Sequence, residues 1–227
     1  MRRLRALDLF CGAGGASMGL HRAGFDVTGV DLHPQPRYPF QFAQADAMTF
    51  DLEGFDFIWA SPPCQRYTVA LHCRLPMYRD RHPDLVAPVR KRLKASGAYY
   101  VIENVPGAPL ETDFYLCGQM FGLKLFRHRL FEANFPLTMP VHAQHNRGAT
   151  CRGEVFSVFG GGGGGRRTFK RANGEVVSFS RGSQAQWADA MQIDWMGRGE
   201  LSQAIPPAYS EFIARQFLGL ETKARAA

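Results

Sequence analysis

At 227 residues, with 45% hydrophobic content and no apolar run near the roughly 20 residues that cross a bilayer, the chain can bury one sizeable core with a small appendage and has no expected membrane partner. The basic N-terminus enters strand-like sequence directly, without the apolar core of a signal peptide, so a cytoplasmic protein of a prokaryotic or virally infected cell is expected. The net charge of +7 is localised: residues 66–94 hold eight Arg/Lys against two acids and residues 141–186 hold seven against two, which is the electrostatic footprint of a polyanion partner.

In chain order, "LRALDLF" (4–10) reads as an apolar strand that breaks at "CGAGGA" before a helical stretch, "SMGLHRAGF", with Met18, Leu20 and His21 on its packed face. "FDVTGVD" (25–31), "FQFAQAD" (40–46) and "FDFIWAS" (55–61) read as the next three strands. "PDLVAPVRKRLKASG" predicts a helix opened near Pro83 and closed by Gly97, and the strand "AYYVIEN" follows it. Strands alternating with helices imply an α/β fold whose parallel sheet is covered on both faces, with ligands outside the carboxyl ends of the strands.

Each of those ends carries a distinctive group. Gly12, Gly14 and Gly15 after the first strand allow close backbone approach to a ligand. Their G-x-G-G spacing differs from the G-x-G-x-x-G of dinucleotide enzymes, which disfavours a nicotinamide-linked oxidoreductase. Asp31 ends the second strand, where a carboxylate can accept both hydroxyls of a ribose, and Asp46 ends the third, where it can accept from an exocyclic amine. The combination suits a nucleoside ligand without phosphates, of which S-adenosylmethionine is the common case. Pro62 and Pro63 stiffen the chain ahead of Cys64, and the neighbouring strand leads to Glu103 and Asn104, so a thiol nucleophile and a carboxylic acid are expected to face one cleft. The five cysteines are odd in number and contain no C-x-x-C pair, so neither a disulfide framework nor a metal site is expected.

"LDLFCGAGGASMGL", "PPCQ", "IENV" and "RHRLFE", in this order, resemble the DNA (cytosine-C5) methyltransferase family over most of residues 4–135, and "ELSQAIPPAYSEFIARQFL" resembles its last motif. The resemblance implies a Rossmann-like S-adenosylmethionine-dependent methyltransferase fold with a parallel-rich sheet and a small basic recognition insertion. It implies that Phe10, Gly12, Gly14 and Gly15 line the cofactor, that Asp31 holds its ribose and that Asp46 holds its adenine amine. It further implies that Cys64 attacks C6 of cytosine, that Glu103 donates to N3, and that Arg127 and Arg129 hold the base carbonyl and orient Glu103. Asn104 would brace the Cys64 loop. Residues 1–135 with 186–227 would form the catalytic domain of a monomer acting on double-stranded DNA, and residues 136–185 its recognition region.

The chemistry explains these residue types. C5 of cytosine is a poor nucleophile until a thiolate adds across C6, and the charge that then develops at N3 and O2 calls for a protonated carboxyl and an arginine. The base must be flipped out of the duplex, and the loop carrying Gln65, Arg66, Tyr67 and Arg74 is expected to close over it. Leu125 stands where the family's pattern has Gln, and "SQAQWADAMQIDW" lacks its R-E-x-x-R. Only 57 residues separate Arg129 from Trp187. Within them six glycines precede Arg166, Arg167, Lys170 and Arg171, and Asn173-Gly174 signals a hairpin, so a basic two-stranded ribbon against DNA is expected. Two other functions fit the residues: the same chemistry on RNA or a free pyrimidine nucleotide, and a non-catalytic DNA-binding module.

Overall fold

The computed structural model describes residues 2–68, 81–142, 144–145, 154–156, 158, 166–170, 174, 176–180 and 182–226. Among them, seven strands form one sheet in the order β3-β2-β1-β4-β5-β7-β6. β1 (Arg5–Leu9), β2 (Asp26–Asp31), β3 (Gln41–Gln44), β4 (Phe57–Ala60) and β5 (Tyr99–Asn104) run parallel. β7 (Arg129–Ala133) pairs antiparallel with both β5 and β6 (Tyr115–Leu116). The expected third strand is shorter than its apolar run: Asp46 lies beyond it, accepting from the Met48 amide at 2.8 Å in a turn.

β4 reads as a continuous apolar run because it is central and covered on both sides; all four of its residues are fully buried. The two-residue period of a strand sends Phe57 and Trp59 to one face and Ile58 and Ala60 to the other. The first face is covered by α1 (Gly15–Ala23) and α5 (Pro207–Ala226), the second by α2 (Val86–Ser96), which stops at Gly97 with φ 70° as its sequence predicts.

The packed face of α1 differs from expectation. Met18 is only partly buried and His21 is exposed, while Ala16, Ser17, Gly19 and Leu20 face inward. The cause is the helix that covers it: a β-carbon on Gly19 would stand 2.7 Å from the Glu211 amide nitrogen and closer still to the Pro207 carbonyl and the Ser210 hydroxyl, and one on Gly15 would stand 2.6 Å from the Ile205 carbonyl. Small residues let α5 cross at backbone distance, where Ser210 Oγ donates to the Ala16 carbonyl at 2.7 Å. The final motif thus forms the floor beneath the glycine turn.

A second cluster joins Leu125, Phe156 and Val158 to α3 (Gln184–Met191) and α4 (Arg198–Gln203) through Trp187, Met191 and Leu201. Ser183 and Gln186 cap α3 reciprocally, a signature readable in S-x-x-Q. Leu125 is fully buried and forms a bridge with Phe156, so the position that departs from the family's pattern is a packing position. The expected ribbon is present as an antiparallel hairpin of β8 (Arg166–Lys170) and β9 (Val176–Ser180), with Gly174 at φ 85° in its turn. The expectations for Arg74 and Arg171 lie outside the described residues. No described helix is long and apolar enough to cross a membrane.

Candidate active site

The glycine turn leaves β1 through Phe10 (φ 59°), Gly12 (φ 49°) and Gly14 (φ 87°). Phe10 adopts a left-handed conformation that a bulky side chain rarely takes, the kind of strain found where backbone geometry is fixed by a site. Asp31, at the end of β2, holds this turn: its Oδ2 accepts from the Gly12 amide at 3.0 Å and its Oδ1 from the His33 amide at 3.0 Å. A β-carbon on Gly12 would enter open space, so the turn presents bare backbone to whatever lies above it. The adjacent Leu32 is 62% exposed, an apolar surface beside an oriented carboxylate. These features fit a nucleoside cofactor: a backbone cradle, a carboxylate already aimed, and an apolar platform for the base. Leu32 escaped the sequence reading because an exposed leucine carries no periodic signal.

Beneath the turn, Asp8 is fully buried in an otherwise apolar strand. Ser17 Oγ donates to its Oδ2, Tyr38 Oη lies 2.7 Å from Ser17 Oγ, and Asp8 Oδ1 has no partner. Burial raises the Asp8 carboxyl from 3.8 to about 7 against the Ser17 bond. The Tyr38 ring fills the space that side chains at Gly14 and Gly29 would take. In the sequence Asp8 shows only as an acid among the apolar residues Ala6, Leu7 and Leu9.

On the other side of the switch in strand order, β4 and β5 lie in parallel register with Ala60 opposite Ile102. Asn104 Nδ2 donates to the Pro62 carbonyl at 2.9 Å and its Oδ1 accepts from the Val105 amide at 2.9 Å, so Asn104 pins the proline turn. Cys64 is partly exposed and heads a 3-10 turn, Gln65–Tyr67, with Thr68 Oγ1 donating to its carbonyl at 2.9 Å. Glu103 shares the face of Val101, is 7% exposed, and meets Arg129 Nε at 3.0 Å, with Ser61 also hydrogen-bonded to its carboxyl. Desolvation nevertheless wins over the two arginines, and the Glu103 carboxyl is held above the usual carboxylate range.

The arginine pair is split in a way the sequence did not suggest. β7 begins at Arg129; Arg127 precedes it, is 3% exposed, and donates to the carbonyls of Val158 and, at 3.0 Å, of Ser202. Its Nε has no partner, and burial together with the neighbouring Arg129 lowers its pKa to about 9. Arg129 alone contacts Glu103 directly, while Arg127 ties the sheet edge to the second core and adds its charge nearby.

The loop after Cys64 also departs from expectation. Arg66 donates to the His82 carbonyl at 3.0 Å and stands 4.0 Å from Asp84, and Tyr67 is buried with its hydroxyl on Asp84. Both residues anchor the base of this loop to the segment before α2.

Residues 4–113 match the family model described as C-5 cytosine-specific DNA methylase. Among solved structures, the chain is similar to a prophage-encoded protein from E. coli described as a DNA modification methyltransferase (TM-score 0.56, 16% identity, covering 96% of this chain and 99% of that one). It is also similar to the Dnmt2 methyltransferase of S. pombe (TM-score 0.59, 15% identity, 96% and 99%) and to the methyltransferase EhMeth of Entamoeba histolytica (TM-score 0.60, 12% identity, 97% and 99%). No curated protein matches the sequence. At these identities the structures share a fold, and the family model adds a likeness in sequence over residues 4–113. Residues 4–113 are therefore similar to the C-5 cytosine-specific DNA methylases, and the chain has the fold of the S-adenosylmethionine-dependent methyltransferases.

Proposed function

We propose that the protein methylates cytosine C5 in double-stranded DNA at a short target. The observation that supports the reading is the presence, toward the carboxyl ends of the neighbouring strands β4 and β5, of a partly exposed thiol on a pinned turn and a buried carboxyl that favours its proton. In this reading Cys64 adds to C6 of a flipped cytosine and Glu103 gives a hydrogen bond, then its proton, to N3. Arg129 fixes the carboxyl in position, and the charge of Arg127 helps to hold electron density near the base carbonyl. S-adenosylmethionine supplies the methyl group that C5 takes once Cys64 has broken the ring's aromaticity. Loss of the C5 proton to water, with the N3 proton returning to Glu103, then restores the C5–C6 double bond and expels Cys64 as its thiolate.

Phe10, Gly12, Gly14, Gly15, Asp31 and Asp46 would hold the cofactor, with Leu32 against its base. Asn104 braces the Cys64 turn, Gln65 sits beside the flipped base, and Arg66 acts from the base of the loop. The hairpin carrying Arg166, Arg167 and Lys170 meets phosphates, with Arg171 continuing that basic run in sequence. Residues 136–185 would serve as the recognition region of a monomer, and residues 1–135 with 186–227 as the catalytic domain.

Transfer of a tritiated methyl group to DNA, RNA and dCMP, measured side by side, tests the reading. Label should enter DNA, and Cys64→Ser should lose it by several orders of magnitude. DNA containing 5-fluorocytosine should trap the wild type covalently at Cys64. Preferential labelling of RNA or dCMP, or full activity in Cys64→Ser, would sink the proposal.

A further inference from the structure

Away from the cleft, four metal-ligating side chains converge at the antiparallel edge of the sheet. Cys117 heads the 3-10 turn after β6, His128 directly precedes β7, and His142 and His145 lie on the segment beyond β7. One donor atom from each lies within 4.8 Å of every other. The Cys117 sulfur is 3.2 Å from His145 Nε2, and His142 Nε2 is 3.0 Å from His145 Nε2. We propose that Cys117, His128, His142 and His145 form a closed structural site for a zinc ion.

Geometry supports this first. Tetrahedral zinc with bonds of about 2.0–2.1 Å to nitrogen and about 2.3 Å to sulfur keeps its donor atoms roughly 3.3–3.6 Å apart. The Cys117–His145 and His142–His145 separations fall a few tenths of an ångström short of that span and no donor pair exceeds 4.8 Å, so admitting the ion needs modest ring movements, some outward and some inward. Three imidazoles mutually in contact, with centroids 4.7–5.3 Å apart, cannot all satisfy their nitrogens with one another, whereas one ion satisfies a nitrogen on each.

The donor chemistry selects the metal. One thiolate and three imidazoles suit zinc, while magnesium and calcium want oxygen ligands that this cluster lacks. Backbone amides of Gln119, Arg127 and Gly118 hydrogen-bond the Cys117 sulfur and would orient it toward a bound ion. Phe126 stacks on the His145 ring at 4.0 Å and Tyr115 packs edge-on against His142, fixing ring orientation as an outer shell does. Four protein ligands leave no open position, so the ion holds structure and does no chemistry. Its mechanical effect is specific: it ties the segment that leads into the basic region to His128, the residue between Arg127 and Arg129. The expectation of no metal site rested on counting cysteine pairs, and a site with one cysteine and three histidines is invisible to that count.

The test needs the untagged full chain, purified without added metal or chelator, and elemental analysis by mass spectrometry. One equivalent of zinc per chain is expected, lost in His142→Ala/His145→Ala and retained in His142→Cys, which keeps a ligand at that position. A wild-type chain that carries no zinc and takes up none when it is added, or a double variant that keeps the full equivalent, would overturn the proposal. A second arm uses the wild type alone, so that variant misfolding cannot decide the matter. Zinc-stripped protein given Co2+ should show thiolate-to-cobalt charge transfer with tetrahedral d–d bands, and the lack of both would equally refute the site. Neither readout depends on methyl transfer, so failure here is distinct from failure of the proposed activity.

Discussion

Asp8→Asn should flatten the dependence of this protein's stability on pH. Asp8 is fully buried beneath the glycine turn, with Ser17 on one carboxyl oxygen and nothing on the other. Desolvation, with the charges of Asp31 and Glu103 adding to it, raises its pKa from 3.8 to about 7. The unfolded chain therefore releases this proton near pH 4, while the folded protein keeps it until near neutrality. Burying Asp8 costs nothing below about pH 4, costs more with each step of pH up to about 7, and is constant above that. At about 1.4 kcal/mol per pH unit the full penalty is about 4 kcal/mol, of which about 2.5 kcal/mol accrues between pH 5 and pH 8. Asn keeps the shape and an acceptor for Ser17 but never has to shed a charge. Urea unfolding of both proteins at pH 5 and pH 8 measures the effect: the stability of Asp8→Asn relative to wild type should rise by about 2.5 kcal/mol at the higher pH. A difference that stays constant, or moves the other way, would refute the assignment of a buried, neutral Asp8.

Three other outcomes follow from the geometry. Asp31→Ala should weaken S-adenosylmethionine binding by about 1–3 kcal/mol, since it leaves the Gly12 and His33 amides without their acceptor as well as removing the ribose partner, and Asp46→Ala should do so by a similar amount; calorimetry giving both variants the parental affinity would place the pocket elsewhere. Gly19→Ala should destabilise the fold by about 2–4 kcal/mol, combining overpacking against the start of α5 with loss of the Ser210 bond to Ala16, and an unchanged thermal midpoint would contradict the close crossing. Replacing Arg166, Arg167, Lys170 and Arg171 together by Ala should lower the log–log salt slope of DNA binding by about 3–4 and weaken all sequences alike, whereas a change confined to one sequence would mean that the hairpin reads bases.

The parallel half of the sheet was legible because its signals are local. Apolar runs of strand length, a glycine closing α2 and functional groups at strand ends all sit within short windows, and the register of β4 with β5 follows once the strands are named. The hairpin was legible for the same reason, through Asn173-Gly174. What could not be read depended on distant partners. The inward face of α1 is set by α5, so Met18 and His21 were misassigned where Gly19 was the residue that mattered. Arg127 and Arg129 look equivalent in "RHRLFE", and only the carbonyls of Val158 and Ser202 distinguish them. Arg66 and Tyr67 carried a polar, aromatic signature suited to a substrate, yet Asp84 claims both.

The crossing of α1 by α5 also constrains how the protein is made. Ala16 and Ser210 are 194 positions apart, and the Ile205 carbonyl is what fills the space beside Gly15. A nascent chain stopped before α5 can lay down its parallel strands, but the glycine turn then has no floor, and the apolar face of the sheet that α5 covers is open to solvent. Contacts so distant in sequence form late and slowly, leaving a sticky intermediate in the interval. The turn is therefore completed only when residues 205–217 dock, and a chain cut ahead of α5 leaves Gly15 without the Ile205 carbonyl beside it and the Phe57–Trp59 face of the sheet uncovered.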